Sequence, residues 1–335
     1  MNILITSVGR RSYLVEYFKK VLHGKGNVFV ANSNPINPSF RVADHSVVTP
    51  LIYDEGYIPF LLKYCRENEI NILISLFDID EYILAKNKSK FEKIGTRVIV
   101  SSSEFVQICN DKWLTFCYLK ENSFLTPLTF KTLESAKEAL ESGYLKYPVI
   151  VKPRFGMGSL SVYKANNLEE LRIFYEKVKS EILNSYMKYE SSFCYDESVV
   201  IQQVINGQEY GMDVINDLNG KYQNCVIRKK IAMRSGETDC AEIIDDEDIY
   251  SIGKKLGNIT GHVANLDVDL FKTNECIYIL EMNARFGGGY PFSHLAGVNL
   301  PLAIVNWCEG KKVDSKILSV KRHIVAHKDI NIVEI

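Results

Sequence analysis

The sequence predicts a mixed fold, α/β over its first part and α+β after it: an N-terminal domain on a parallel sheet, followed by helices and antiparallel sheets. Two patterns predict this. Short apolar strands alternate with amphipathic helices up to about Val100, which implies a parallel sheet covered on both faces. From Tyr147 onward strands follow one another with fewer helices between them. The chain has 335 residues, enough for two or three domains around real cores.

Asn2 to Ser7 is the first strand. Ser12 to Leu22 is a helix with Leu14, Val15, Phe18, Val21 and Leu22 on one side. Asn27 to Ala31 is a strand, Tyr57 to Asn68 a helix, Ile70 to Ser75 a strand, Asp80 to Lys93 a helix and Arg97 to Val100 a strand. Ser103 to Asn122 reads as one helix with Ser103 as its N-cap. Glu134 to Ser142 and Leu168 to Leu183 are further helices. Strands are expected at Tyr147 to Pro153, Ser161 to Lys164, Val199 to Val204, Glu209 to Asn216, Tyr222 to Met233, Val263 to Phe271 and Cys276 to Met282. Lys188 to Glu197 reads as a polar, aromatic-rich connection, and no internal repeat is visible.

Composition narrows the function. Hydrophobic residues make up 46%, and 40 basic against 41 acidic side chains give a net charge of -1. That balance offers no global case for a nucleic acid or an anionic membrane, although a local basic pocket for a small anion remains open. The apolar start is too short for a signal peptide, and no apolar run approaches the roughly 18 residues of a membrane span. Eight scattered cysteines without a CxxC pair read as reduced thiols in a cytoplasmic protein.

The run LEMNARFGGGYPFSHLAG, from residue 280, carries the most chemistry. Glu281, Asn283 and Arg285 fall at alternate positions of a strand and so share a face. A carboxylate, an amide oxygen and a guanidinium together suit a divalent metal and the phosphates it carries. The alternative is a solvated strand end. Upstream, Asp267 and Asp269 share one face of a strand, and a hairpin through Lys272 to Glu275 would set Asp269 beside Glu281. Two adjacent carboxylates repel unless a cation lies between them, and oxygen ligands without His or Cys favour Mg²⁺ over zinc. The glycines 287 to 289 allow close approach to a ligand.

VKPRFGMGS, from Val151, is a strand, a lysine and a glycine-bearing turn. Lys152 at a strand end can neutralise a phosphate, and Gly156 and Gly158 let main-chain N–H groups approach its oxygens. The lysine precedes the glycines, so this is not a Walker loop. QQVINGQEYGMDV, from Gln202, places two strands around an Asn-Gly turn, with an adenine-edge contact open to Val204 and a ribose contact to Glu209. Either segment alone also reads as an ordinary hairpin. Arg228, Lys230 and Arg234 alternate onto a common strand side, suited to an acid substrate or a γ-phosphate, or simply solvated. Ser7-Val8-Gly9-Arg10-Arg11 and the group Asp78, Asp80 and Glu81 lie at carboxyl ends of the parallel strands, where ligands of such sheets gather. Arg10 and Arg11 suit an anionic substrate or, equally, salt bridges to Asp78 or Asp80. Ser293 and His294 form no nucleophile elbow, and His294 reads as a loop or pocket residue rather than a base.

Lys112 on a helix, then VKPRFGMGS, QQVINGQEYGMDV, RKKIAMRSGETD, DVDL and LEMNARFGGGYP, in that order, resemble the ATP-grasp superfamily, most closely its carbamoyl-phosphate-synthase-like branch. The resemblance covers nearly the whole chain. It implies a pre-ATP-grasp (Rossmann-like) domain at 1–105, a linker helix and lid subdomain at 106–205, and a C-terminal ATP-grasp subdomain at 206–335, the last two forming a two-subdomain fold with antiparallel sheets. It implies that Lys112 and Lys152 contact ATP phosphates, Gly156, Met157, Gly158 and Ser159 close over them, Gln202, Gln203, Val204 and Ile205 form the adenine hinge, and Glu209 holds the ribose. Asp269 and Glu281 would bind Mg²⁺ (Mn²⁺ as a substitute), assisted by Asn283. Arg285, Lys230 and Arg234 would be catalytic, and Gly9, Arg10, Arg11, Asp78 and Gly288 would line the substrate region. The full carbamoyl phosphate synthase carries two tandem copies of the unit and a glutaminase partner. This chain carries one copy.

The activity implied is an ATP- and Mg²⁺-dependent ligase joining a small carboxylic acid to an amine through an acylphosphate. The alternatives are a kinase- or carboxylase-like enzyme that stops at an acylphosphate or carboxyphosphate, and a non-catalytic nucleotide-binding regulator. Neither nucleic acid nor membrane is implied as partner, and a homodimer through the N-terminal domain is common among look-alikes.

Overall fold

A computed structural model describes residues 1–334. The first domain alternates β1 (Asn2–Thr6), α1 (Ser12–Leu22), β2 (Val28–Asn32), α2 (Ser39–Val42), β3 (His45–Val48), α3 (Tyr57–Glu67), β4 (Ile70–Ser75), α4 (Asp78–Glu92) and β5 (Arg97–Ile99). Its five strands pair in parallel in the order β3-β2-β1-β4-β5. The central strands β1, β2 and β4 are almost wholly buried, which is why they read as continuous apolar runs. The edge strand β3, His45-Ser46-Val47-Val48, is mostly exposed and escaped the sequence reading.

The expected helix from Ser103 to Asn122 is two helices, α5 (Ser103–Asn110) and α6 (Lys112–Glu121). Asp111 makes the break. It stands in an extended conformation, its carboxylate accepts from the main-chain N–H groups of Trp113 and Leu114, and it takes Arg154 through Nε at 2.8 Å and Nη2 at 2.7 Å. The N-cap of α5 is Ser102 rather than Ser103.

A lid unit comprises β6 (Thr129–Phe130), α7 (Leu133–Glu141), β7 (Val149–Pro153), β8 (Tyr163–Ala165), α8 (Leu168–Leu183), α9 (Met187–Ser191) and β9 (Val199–Gln203). Its antiparallel sheet runs β6-β9-β7-β8, and Leu171, Tyr175, Val178 and Ile182 of α8 close a separate small core over it. The stretch expected as an irregular connection contains α9 and a 3₁₀ turn at Tyr195–Glu197.

The remainder is a six-stranded antiparallel sheet. It uses β10 (Gln208–Asn216), β11 (Tyr222–Arg234), β12 (Glu237–Ile244), α10 (Glu247–Thr260), β13 (Asn265–Lys272), β14 (Ile277–Asn283), α11 (Tyr290–Leu295), α12 (Leu300–Cys308) and β15 (Ile324–His327), with strand order β14-β13-β10-β11-β12-β15. Two continuous cores join this sheet to the first domain. One packs Leu61 and Leu84 with Met212, Leu256 and Val268, and the other packs Leu14 and Phe18 with Phe286, Tyr290 and Ile304. No helix among the described residues is long and apolar enough to cross a membrane.

The carboxyl ends of the parallel strands are organised by Asp80. Its buried carboxylate accepts from Thr6 Oγ1 at 2.6 Å, Ser75 Oγ at 2.8 Å, Tyr57 Oη at 2.8 Å and Ser7 Oγ at 2.9 Å. Burial raises the pKa of this carboxyl above its usual range against the pull of those four donors. Asp80→Ala strands four hydroxyls in the interior, so it is expected to cost about 3 kcal/mol or more in urea unfolding, whereas Tyr57→Phe, losing one donor, costs about 1 kcal/mol.

Candidate active site

The β13–β14 hairpin supplies the acidic centre. Its register sets Asp269 opposite Glu281 and Asp267 opposite Asn283. The hairpin closes through Thr273, whose main-chain N–H donates to the Cys276 carbonyl at 2.9 Å. Pairing of neighbours in an antiparallel ladder brings the two facing side chains within about 5 Å at Cβ, so Asp269 and Glu281 share one locality.

That locality is the floor of a cleft between the lid sheet and the large sheet. Lys112, Lys152, the loop from Gly156 to Ser159, Gln202 to Ile205, Glu209, Asp269 and Glu281 all line it. The two lysines arrive from different elements, Lys112 from the first residue of α6 and Lys152 from the end of β7. Lys112 Nζ donates to the Gly156 carbonyl at 2.5 Å, and Lys152 Nζ to Gln202 Oε1 at 2.8 Å. Burial lowers the pKa of Lys152 to about 8, helped by the like charge of Lys112 and opposed by Glu281. Burial also lowers that of Lys112, against Glu281, Asp78 and Asp111.

The hinge divides its labour. Gln202 is occupied within the lid, accepting from Lys152 and donating to Thr129 Oγ1 at 3.0 Å, and Gln203 Oε1 accepts from the Leu128 N–H at 3.2 Å. Strand pairing of β9 ends at Gln203, which leaves the main chain of Val204 and Ile205 outside the ladder and facing the cleft. Above them the glycine loop is folded down. A Cβ on Gly236 would lie 2.8 Å from the Gly158 carbonyl carbon, and one on Gly156, whose φ is +123°, would lie 2.7 Å from Met187 Sδ. Only glycine permits those approaches.

Lys230 stands between two carboxylates, 2.7 Å from Glu209 and 2.7 Å from Asp269. Burial disfavours its charge, but Asp269 and Glu209 outweigh burial and hold the ammonium protonated well above the ordinary range. Glu281 has no such partner among the described residues. No group of three or more His, Cys, Asp or Glu residues among them forms a ready metal cage. The cleft instead offers two facing carboxylates, which fits an ion such as Mg²⁺ that keeps water and substrate phosphates in its coordination shell.

A second ionic cluster lies beneath the glycines. Arg285 Nε is 3.0 Å from Asp78 Oδ2 and its Nη1 is 3.5 Å from Asp267 Oδ2. Arg228 Nη2 meets Asp267 Oδ1 at 3.1 Å, and its Nη1 pairs with Asp213 and also donates to Ser293 Oγ at 3.0 Å. A Cβ on Gly287 would fall 2.2 Å from an Asp267 carboxylate oxygen, and one on Gly289 would fall 2.6 Å from Arg228 Nε. The glycines therefore let the chain pass close over this buried network.

Some expected residues lie elsewhere. Arg234 is half exposed and pairs with Asp239 at 2.8 Å, and it does not line the cleft. Asn283 lines the adjoining cavity with Asp78 rather than the cleft. Neither Arg10 nor Arg11 bridges to Asp78 or Asp80 among the described residues. Arg10 is exposed, and Arg11 Nη1 donates to the carbonyls of Leu76 at 2.8 Å and Phe286 at 3.0 Å. Asp78 instead pairs through Oδ2 with Arg285, and Asp80 is held by hydroxyls. Gly9, at φ +51°, accepts from Ser39 Oγ at 2.7 Å, and Gly288 packs over the Glu237 carboxylate. His294 stacks on Tyr17 at 3.6 Å between ring centres, and burial lowers its pKa to about 4. Asp213, Arg154 and Glu190 were not singled out from the sequence. Asp213 had a signal, a lone acid inside the apolar run Met212 to Ile215.

Residues 109–289 match the ATP-grasp domain family, and residues 3–99 match the PylC-like N-terminal domain family. The chain is 22% identical over 320 residues to the carbamoyl phosphate synthase large chain of Pseudothermotoga lettingae, covering 90% of this chain and 27% of that protein. It thus spans about a quarter of the length of that relative. It is also 22% identical over 245 residues to the alpha-aminoadipate–LysW ligase LysX of Saccharolobus solfataricus, covering 69% of this chain and 80% of that one. In three dimensions it is similar to the biotin carboxylase domain of Hydrogenobacter thermophilus 2-oxoglutarate carboxylase, solved with MgADP, at a TM-score of 0.72 and 15% identity over 93% of this chain and 70% of that one.

The depressed Lys152 makes a pH prediction. A bound polyphosphate favours the protonated lysine, so ADP binding draws a proton onto Lys152, and affinity falls as the pH rises above about 8. Calorimetry in buffers of different ionisation enthalpy is expected to show proton uptake there, and Lys152→Met to abolish it.

Proposed function

The chain belongs to the ATP-grasp family, and from that premise we propose that it is an ATP- and Mg²⁺-dependent ligase that joins a small carboxylic acid to an amine through an acylphosphate. One observation carries the reading. Lys112, Lys152, Asp269 and Glu281, drawn from four separate elements, converge on one cleft whose far wall is an unpaired main-chain edge at Val204 and Ile205. Neither a core nor a solvated surface requires a buried and a half-buried lysine facing two carboxylates across open space.

In this reading the Val204–Ile205 edge takes the adenine and Glu209 the ribose hydroxyls. Lys112 and Lys152 draw the phosphates inward, and the N–H groups of the 156–159 loop cover them. Asp269 and Glu281, with Asn283 alongside, would hold Mg²⁺, which when bound offsets the negative charge of the phosphate oxygens. The acid's carboxylate oxygen attacks the γ-phosphorus, the bond to the β-phosphate oxygen breaks, and ADP leaves. The amine nitrogen then attacks the acyl carbon, the C–O bond to phosphate breaks, and inorganic phosphate departs with a proton from nitrogen. Arg285, fixed by Asp78 and Asp267, holds positive charge beside the transferring group without having to reorganise. Lys230 adds charge from beneath, and the lid keeps water from the acylphosphate. A carboxylate is a poor electrophile because it is already an anion, so charge cancellation is the main task of such a site.

The reading is tested by a screen of carboxylic acids crossed with amines, scored by phosphate release. ADP and phosphate are expected only when both substrates are present. Release with an acid alone would instead mark an enzyme that stops at the acylphosphate, and AMP with pyrophosphate would overturn the proposal. With an active pair in hand, Glu281→Gln is expected to lower kcat by at least about a hundredfold while leaving the melting temperature within a few degrees. Arg285→Lys is expected to lower kcat more than it raises KM.

A further inference from the structure

Beside the nucleotide cleft lies a smaller cavity that the proposed chemistry has not used. It shares Lys112, Gly156, Met157 and Glu281 with the cleft, so the two meet at the phosphate end. Its remaining polar wall holds two acids, Asp78 from the first turn of α4 and Glu190 from α9 of the lid, and the amides of Asn110 and Asn283. The rest is apolar: Ile79, Cys109, Phe155, Tyr186 and Met187.

Asp78 is the informative side chain. It is 4% exposed. Its Oδ2 is taken by Arg285, but its Oδ1 is buried and has no hydrogen-bond partner. A buried acceptor without a donor is costly unless a ligand supplies one. Glu81, one helical turn further on, is also buried, and burial together with Asp78 pushes its carboxyl well above the usual range. Glu190 is raised by burial as well. Three acids line the cavity, Asp78, Glu190 and Glu281, against a single ammonium, that of Lys112, so the cavity disfavours an anion and draws in a cation. The enclosed space is about 20 Å³, room for little more than one water-sized group. It admits an ammonium head and not a bulky body.

Resting on the ligase reading above, we propose that this cavity receives the amine substrate as a primary ammonium head on an unbranched, uncharged carbon chain, with Asp78 Oδ1 as the specificity-determining acceptor. The apolar wall suits the carbon that bears the nitrogen, and the mouth shared with the cleft places the nitrogen beside Arg285 and the transferring phosphate. A second carboxylate on those carbons meets Glu190 and Glu281 and is rejected.

The test is calorimetry of the full chain with three probes of equal length, in the presence and absence of a non-hydrolysable ATP analogue and Mg²⁺. n-Butylamine is expected to bind saturably. Butyltrimethylammonium, of the same charge but too large, and butyrate, of opposite charge, are expected to bind at least tenfold more weakly. Asp78→Asn keeps an acceptor for Arg285 and is expected to weaken n-butylamine at least tenfold. Glu190→Gln, an isosteric change at a partly buried position of the lid, is expected to weaken it several-fold. The proposal is overturned if n-butylamine does not bind, if butyltrimethylammonium binds as well, or if both variants bind the amine like the parent. Titration of the analogue alone is a separate reading. If it fails, the ligase assignment falls, whatever the amine does; if it succeeds and the amine result is negative, only the cavity assignment falls.

Discussion

Five charged side chains alternate in sign through the interior: Asp213, Arg228, Asp267, Arg285 and Asp78. The series starts in the middle of β10, crosses β11 and β13, and ends on α4 of the parallel-sheet domain. Buried ion pairs are poor sources of net stability, because desolvation offsets most of their attraction. What they provide is registry, since removing any one member strands a charge at a cost of about 3–5 kcal/mol. A slip of the β13–β14 hairpin by one residue would turn Asp267 away from both arginines. The same slip would turn Asp269 away from Glu281. The ionic series therefore enforces the alignment on which the cleft depends.

Within the cleft, charge is arranged so that one carboxylate is already satisfied and the other is not. Lys230 holds Asp269 and Glu209 together, while Glu281 faces open space with the two lysines beyond it. Without such a tie, Asp269 and Glu281 would repel across the hairpin. Under the ligase reading, a nucleotide with its ion competes with Lys230 for both of its partners. Its binding thus redistributes an existing cation rather than filling a void. The chain's near-zero net charge conceals this segregation, because the lysines that matter are few and are balanced by acids on the same walls.

The sequence showed the hairpin and the pairing of Asp269 with Glu281 plainly, because period-two alternation and a short turn leave few other arrangements for Asp267 to Arg285. It hid other parts for identifiable reasons. The helix α10 carries Gly253 and Gly257, which depress helix propensity. The structure needs them: a Cβ at Gly253 would sit 2.6 Å from Met212 Sδ, and one at Gly257 would sit 2.4 Å from Tyr222 Cδ2. The helix lies so close to the sheet that only glycine fits, and close packing overrides propensity. The strand β12 begins Glu237-Thr238-Asp239, a polar start that reads as loop until β11 on one side and β15 on the other supply its ladder. The break at Asp111 was invisible because the cap works with Arg154, a residue 43 positions away. The Asp78 cavity was hidden likewise, since it joins α4, α9 and β14, which no local pattern relates.

Under the ligase reading, the site needs a guanidinium at residue 285. One side chain must satisfy Asp78 from one domain and Asp267 from another, at 3.0 Å and 3.5 Å, and still present charge toward the transferring group. A planar fork with five donors can do all three, whereas an ammonium is a single point that must choose among them. The two flanking carboxylates fix the plane of the fork before substrate arrives, so little orientational entropy is lost in the reaction. They also reduce its net charge, which moderates the hold on an ADP or phosphate product that has to leave. The glycines 287 to 289 complete the logic. They allow the main chain to run directly over Asp267 and Arg228, sealing the network from water that would otherwise screen it.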